Sequence, residues 1–256
     1  MESKNIKILA IGNSFSVDSM EYLYQILKDG NYDNVILGNL YIGGCCLETH
    51  YHNIINNNKD YIYYLNKTGT WEEYPFFSIL DALTSENWDI ITMQQCSGKS
   101  GLSNTFQPYV NELIDYVRKY NKEAKLFWNM TWAYHFYSTH EEFINYEFNQ
   151  IIMYQAIINT VNEMIITNKS FEGIIPVGTA IQNVRTFVND DLITRDGFHL
   201  SDLGRFIASL TWFKTLTRLD LNKINYHPEF IKTDLFNNIK KAVDAAYNNP
   251  FEITNL

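Results

Sequence analysis

Cysteine is scarce in this chain: three residues in 256, two of them adjacent at Cys45-Cys46. An odd count that includes neighbouring thiols cannot build a disulfide framework. Charge is thin as well, at 19% against roughly 25% in an average soluble protein. What charge there is leans acidic, with 20 Lys and Arg against 29 Asp and Glu and a net charge of −9. No basic run exceeds Lys240-Lys241, so a phosphate backbone finds no positive face, and nucleic acid is excluded as an expected partner. No apolar stretch approaches the length of a membrane span, so no membrane association is expected. The N-terminus runs from Met-Glu-Ser-Lys-Asn straight into a strand pattern without a signal-peptide pattern, which leads to the expectation of a cytoplasmic, reduced setting. Apolar and aromatic residues are plentiful, at 46% and 15%, and that excludes a disordered chain.

Strand-length apolar runs alternate with helical patterns from end to end. Ile6 to Ile11, Val35 to Ile42, Trp88 to Met93, Lys125 to Met130 and Gly173 to Val177 read as strands. Between and after them, helices are expected from about Val17 to Leu27, Ser78 to Ser85, Gln107 to Tyr120, Glu141 to Thr167, Ser201 to Arg218 and Thr233 to Tyr247. This alternation implies βαβ units and a parallel sheet of about five strands covered on both faces, an α/β fold. The segment at about 58–75, rich in Tyr with Thr68-Gly69-Thr70 in its middle, reads as a hairpin or lid insertion. No repeat, linker or shift of composition divides the chain, so one domain is expected over 1–256. Open sheets of this kind bind ligands beyond the carboxyl ends of their strands, which directs attention to the segments just after each strand.

Ser14 lies in Gly12-Asn13-Ser14-Phe15-Ser16, at the turn from the first strand into a helix. Unpaired N–H groups at a helix start favour negative charge developing beside a serine there, as a nucleophile in acyl transfer requires. The plainer reading is that Ser14 or Ser16 caps the helix. The glycines of a dinucleotide loop and the Gly-Lys of a phosphate loop are both missing. Far along the chain, Arg195-Asp196-Gly197-Phe198-His199-Leu200-Ser201 puts a carboxylate three residues before an imidazole, across a glycine. That spacing lets Asp196 accept from one ring nitrogen while the other faces outward.

Together these segments resemble the SGNH (GDSL-like) hydrolases, whose four sequence blocks supply Ser, Gly, Asn and His in chain order. Gly12-Asn13-Ser14-Phe15-Ser16 stands where the family has its G-D-S-x-S block, Asn39-Leu40-Tyr41-Ile42-Gly43-Gly44 where it has the glycine block, and Asp196-x-x-His199 where it has D-x-x-H. The resemblance implies Ser14 as nucleophile, His199 as base and Asp196 as its orienting acid. It also implies the N–H groups of Ser14 and Gly44 as oxyanion donors. The third block departs from the family: Thr92-Met93-Gln94-Gln95-Cys96 carries no asparagine after its strand. A glutamine amide has the same donors on a longer arm, so Gln95, with Gln94 second, is the expected replacement. The implied fold is flavodoxin-like, with three α/β/α layers. The implied activity is esterase chemistry without any cofactor, on a small-molecule or carbohydrate ester. The wording around the blocks is similar to a bacterial subgroup with relatives found beside polysaccharide-degrading enzymes, which suggests an O-acetyl group on a carbohydrate.

Aromatic and polar residues beyond the other strands are candidates for substrate contact: Trp132 and Tyr134, Gln94, and Gln182 with Asn183 and Arg185. For the two aromatics core packing is the competing account, and for Gln182, Asn183 and Arg185 it is a helix start carrying polar residues. Cys45, Cys46, Glu48, His50 and His52 cluster after the second strand, but their spacing is no standard zinc pattern, and no metal is expected. Nothing in the sequence around Cys46 or Cys96 marks a lowered thiol pKa, so both read as small buried thiols. Two other functions stay open on these residues: a lipase, thioesterase or acyltransferase using the same triad, and a carbohydrate-binding protein that has lost turnover.

Overall fold

The structure is a computed structural model that describes residues 3–256. Its centre is a seven-stranded sheet. The strands are β1 (Asn5–Gly12), β2 (Asn34–Tyr41), β3 (Tyr61–Asn66), β4 (Trp71–Phe77), β5 (Ile90–Met93), β6 (Lys125–Asn129) and β7 (Phe171–Ile175), in the spatial order β4-β3-β2-β1-β5-β6-β7. β1 pairs in parallel with β2 and β5, and β5-β6-β7 continue in parallel. Ile8, Leu9, Ala10 and Ile11 are buried in succession, as expected of a central parallel strand covered on both faces.

The helices are α1 (Ser14–Met20), α2 (Leu23–Asp29), α3 (Leu47–Asn56), α4 (Ile79–Ser85), α5 (Tyr109–Tyr120), α6 (Gln150–Val161), α7 (Val177–Val184), α8 (Asp202–Thr217) and α9 (Thr233–Asn248). α1, α2, α7 and α9 pack around α8 on one side, while α3, α4 and α5 pack on one another. This is the expected three-layer α/β/α arrangement. Local signals set several ends. Ser78 and Asp81 form a reciprocal capping box on α4, and the Ser201 hydroxyl accepts from Gly204 N–H at the start of α8.

The sheet has two strands more than the periodicity implied. β3 lies antiparallel to β2, from Tyr41↔Ile62 to Leu37↔Asn66, and β4 pairs antiparallel with β3. The 61–77 segment is therefore built into the sheet along the free edge of β2. Two expected helices are also broken. The first divides at Glu21-Tyr22 into α1 and α2. The long one resolves into a 3₁₀ turn (Glu141–Tyr146), α6 and a π-helical end (Asn162–Ile166). Asn149 caps α6 by accepting from Ile151 and Ile152 N–H, a polar signal that apolar spacing alone passes over.

Candidate functional site

β1 ends at Gly12, and the chain turns directly into α1. Asn13 caps the helix, its Oδ1 accepting from Phe15 N–H at 3.0 Å. The turn is crowded. A Cβ on Gly12 would lie 2.5 Å from Ser16 Oγ and 3.2 Å from the Gln94 side chain, so only glycine fits. Ser14 is the first residue of α1, half-buried. Its N–H and that of Gly44 have no acceptor among the described residues. Gly44 is exposed at φ 63°, with open space where a side chain would be.

The loop before α8 brings His199 to this turn. His199 Nε2 lies 2.8 Å from Ser14 Oγ, across 185 positions of sequence, and His199 Nδ1 lies 2.6 Å from Asp196 Oδ2. With Nδ1–H donating to the carboxylate, Nε2 is left as an acceptor and the Ser14 hydroxyl donates to it. Asp196 Oδ1 also accepts from the backbone N–H of His199 at 2.7 Å and of Phe198 at 3.1 Å. Gly197, at φ 89°, makes that tight return possible. Partial burial works against the charge on Asp196. The hydrogen bonds from the His199 ring and the two N–H groups outweigh it and hold the carboxyl below its ordinary range.

Gln95, expected beside the oxyanion, faces elsewhere. Its Oε1 accepts from Leu47 N–H at 3.0 Å and from Cys96 N–H at 2.9 Å, and its Nε2 donates to Thr105 O and Oγ1, each at 3.1 Å. The amide ties the start of α3 to the loop after β5, with no donor left for a ligand. Gln94 is engaged as well: Nε2 donates to Asn13 Oδ1 at 2.9 Å and Oε1 accepts from Asn129 Nδ2 at 2.8 Å. It is the middle of a buried chain of amides. Trp212 Nε1 donates to Asn129 Oδ1 at 3.1 Å at one end, and Asn13 Nδ2 donates to Cys45 O at 3.0 Å at the other. This chain fixes the turn carrying Ser14 against the loop carrying Gly44.

The other expected contact residues are buried supports. Trp132 is fully buried. It stacks on Phe15 with centroids 3.9 Å apart and planes 5° apart, and its Nε1 donates to Phe198 O at 2.7 Å. It therefore braces the Ser14 turn and the His199 loop together and offers no face to a sugar. Tyr134 is fully buried, its hydroxyl 2.7 Å from Ser97 Oγ, and burial pushes that hydroxyl's pKa up. The segment after β7 is the buried helix α7. Gln182 accepts from Arg185 Nη1 at 2.7 Å, and Asn183 donates to Ala242 O at 3.1 Å. Arg185 itself holds Asp190 at 2.6 Å and Ala133 O at 3.0 Å.

In the cysteine cluster, His50 and His52 lie on α3. His50 is fully buried against Tyr61 Oη at 2.8 Å, and burial pushes it down to about 3, so it is a neutral core histidine. The Cys46 thiol is pulled down to about 4, first by a hydrogen bond from Cys96, against the cost of burial, with Thr49 and the Lys99 charge assisting. Cys96 is pushed the opposite way by the same contact, with burial adding to the shift.

Across residues 7–248 the sequence matches the model of a family described as a domain of unknown function, DUF4886. The chain belongs to that family. The crystal structure of a DUF4886 family protein from Bacteroides uniformis ATCC 8492 has 39% sequence identity with it and a TM-score of 0.94, covering 99% of this chain and 98% of the other. More distant solved structures share the fold. A protein from Slackia heliotrinireducens assigned to the SGNH hydrolases has 18% identity and a TM-score of 0.52, over 84% of this chain and 100% of its own. TesA has 14% identity and a TM-score of 0.52, over 83% and 98%. No curated protein gives a significant match. This DUF4886 chain thus has the SGNH-hydrolase fold, with its sheet enlarged by the β3–β4 hairpin.

Sequence reading missed Asp18. It is buried on α1, and its carboxylate accepts from Arg195 Nη1 at 3.0 and 3.1 Å, Arg205 Nε at 2.8 Å and Leu200 N–H at 2.9 Å. Arg195 Nη1 also donates to Leu200 O. Asp18 therefore clamps the His199 loop to the helix that carries Ser14. The available signal was its spacing: Asp18 follows Ser14 by four residues, one turn along the same short helix.

Proposed function

We propose that the protein is a serine esterase, hydrolysing an O-acetyl group on a carbohydrate through an acyl-serine intermediate. The observation that carries this reading is the unbroken hydrogen-bonded line Ser14–His199–Asp196, at 2.8 and 2.6 Å. His199 Nε2 takes the hydroxyl proton as Ser14 Oγ attacks the ester carbonyl. Asp196 fixes the ring tautomer and stabilises the imidazolium. The carbonyl oxygen, now an anion, is held by the free N–H groups of Ser14 and Gly44. Collapse breaks the C–O bond to the alcohol, which leaves with the proton from His199. Water then attacks acyl-Ser14, with His199 again as base, and the acid is released.

Two backbone donors make this hole, and Gln95 adds none because both of its Nε2 hydrogens are met by Thr105. The choice of a small acyl group on a sugar draws support from the half-open setting of Ser14 and from the aromatic and polar groups beside α1. Hydrolysis of 4-nitrophenyl acetate by the wild-type protein tests the reading. Ser14→Ala is expected to lower kcat by about 10⁴ or more, because the covalent route is lost. A wild-type protein inert from pH 6 to 9, with its fold intact, would favour the silent binding protein instead.

A further inference from the structure

Beside Ser14 lies a groove that the reaction scheme leaves unused. Its volume is about 190 Å³, and it is lined by Val17, Glu21, Asn39, Tyr64 and Trp71. Ser14, Val17 and Glu21 are spaced i, i+3 and i+7, so they share one stripe of α1 and its continuation. Ser14 and Val17 side chains therefore start about 5–6 Å apart, roughly the width of one sugar ring. The opposite wall is the inserted hairpin, with Tyr64 on β3 and Trp71 at the start of β4. α2 is tied to the hairpin turn as well: Tyr24 Oη donates to Lys67 O at 3.2 Å and Gln25 Nε2 to Gly69 O at 3.4 Å.

Two polar groups in this groove are unpaired. Asn39 Oδ1 accepts from Ser16 Oγ at 2.9 Å, while its Nδ2 has no protein partner among the described residues and is open to the groove. The Glu21 carboxyl likewise makes no hydrogen bond or ion pair among the described residues. Burial is the first cause that raises its pKa, with the Arg205 charge opposing and Asp18 and Asp202 adding to it. An amide donor and a carboxyl that face a groove without protein partners are free to bond a ligand or water there. An acyl chain would leave both groups unmet, whereas a pyranose offers hydroxyls to them and a C–H face to the aromatic rings.

We propose that this groove is a sugar subsite, holding a pyranose ring of the ester's alcohol part against Trp71 and Tyr64 with its hydroxyls bonded to Glu21 and Asn39. The inference rests on the esterase reading and names the substrate side of that same site. It also gives the hairpin a role, because the groove has no second wall without β3 and β4.

The test compares wild type, Trp71→Ala and Glu21→Ala on three kinds of ester: 4-nitrophenyl acetate, 4-nitrophenyl octanoate, and singly acetylated methyl pyranosides of xylose, glucose and N-acetylglucosamine. In both variants the ratio of kcat/KM for the preferred sugar acetate to that for 4-nitrophenyl acetate is expected to fall about tenfold or more, through KM. Circular dichroism and thermal melting establish that each variant is folded. Calorimetry on Ser14→Ala with the same glycosides reads binding without turnover, and adding Trp71→Ala is expected to abolish the heat. An unchanged ratio overturns the subsite, as does a selective loss on the octanoate, or no binding of any glycoside. Failure of the esterase reading shows differently, as a wild type inert on 4-nitrophenyl acetate, and the calorimetric arm still decides the groove.

Discussion

Asp196 has a carboxyl held below its ordinary range, and that makes it a pH-dependent support of the native state. The unfolded chain binds that proton more tightly than the native one. Its contribution is therefore complete above the unfolded value near 3.9 and fades as pH falls through the lower native value. Urea titrations at pH 7, 4 and 3 should show wild type more stable than Asp196→Asn at pH 7, with the gap closing at pH 3. A gap that widens on acidification would contradict the sign. Gln95 is the other residue whose environment decides its part. Gln95→Ala leaves Leu47 N–H and Cys96 N–H without their acceptor, at about 1–3 kcal/mol for each unmet group. Urea unfolding should register that loss. On an activated acetate, at a temperature where the variant is folded, kcat should fall far less than the 10²–10³-fold or so of a lost oxyanion donor. A drop of that size without loss of stability would return Gln95 to the reacting centre. The direction of an amide is illegible in a sequence. Gln94 and Gln95 differ by one position, and only the loop around them determines that one joins Asn13 and Asn129 while the other joins Thr105.

Among the elements, α1 and the loop before α8 matter most, and Asp18 is what joins them. A buried carboxylate facing two guanidinium groups is costly to break, about 3 kcal/mol at the lower end because Arg195 and Arg205 both reach water. Asp18→Asn should lower urea stability by that order. It should also lower kcat at saturating substrate, because the His199 loop loses its anchor at Leu200 N–H. If stability falls and kcat does not, the clamp holds the fold but not the imidazole. At this scale the sequence was readable where one signal dominated. β1 is a continuous apolar run, α8 begins at Ser201 with its cap, and both ends of the Ser14–His199 pair sit in short glycine-containing blocks. It was less readable where an apolar period ran across a polar break, as at Glu21-Tyr22 and Asn149. Trp132 and Tyr134 stand at the carboxyl end of β6, where a ligand platform is plausible, but their rings turn inward because Phe15 and Phe198 need packing there.

For the molecule as a whole, the site has no local existence. Ser14 and His199 are 185 positions apart, and the N–H of Gly44 reaches them only when β2 lies beside β1. Loss of the proposed esterase activity in urea should therefore coincide with loss of the tertiary tryptophan signal from the buried Trp128, Trp132 and Trp212. An earlier midpoint for activity would show that the His199 loop opens before the core does. Among the described residues, no helix is long and apolar enough to cross a membrane. The sheet is larger than its parallel part, because the hairpin satisfies the open backbone edge of β2 and so forms one wall of the groove beside Ser14.

The sequence by itself determined the five parallel strands, most of the helical stripes and the three short blocks in which Ser14, Gly44, Asp196 and His199 stand, because those depend on local periodicity and on residues with few alternatives. The tertiary structure alone decided which amides face the reacting centre, which aromatic rings reach solvent and which carboxylate clamps the loops. Each of those outcomes is a competition among partners distant along the chain, settled by packing and by the need to satisfy every buried polar group.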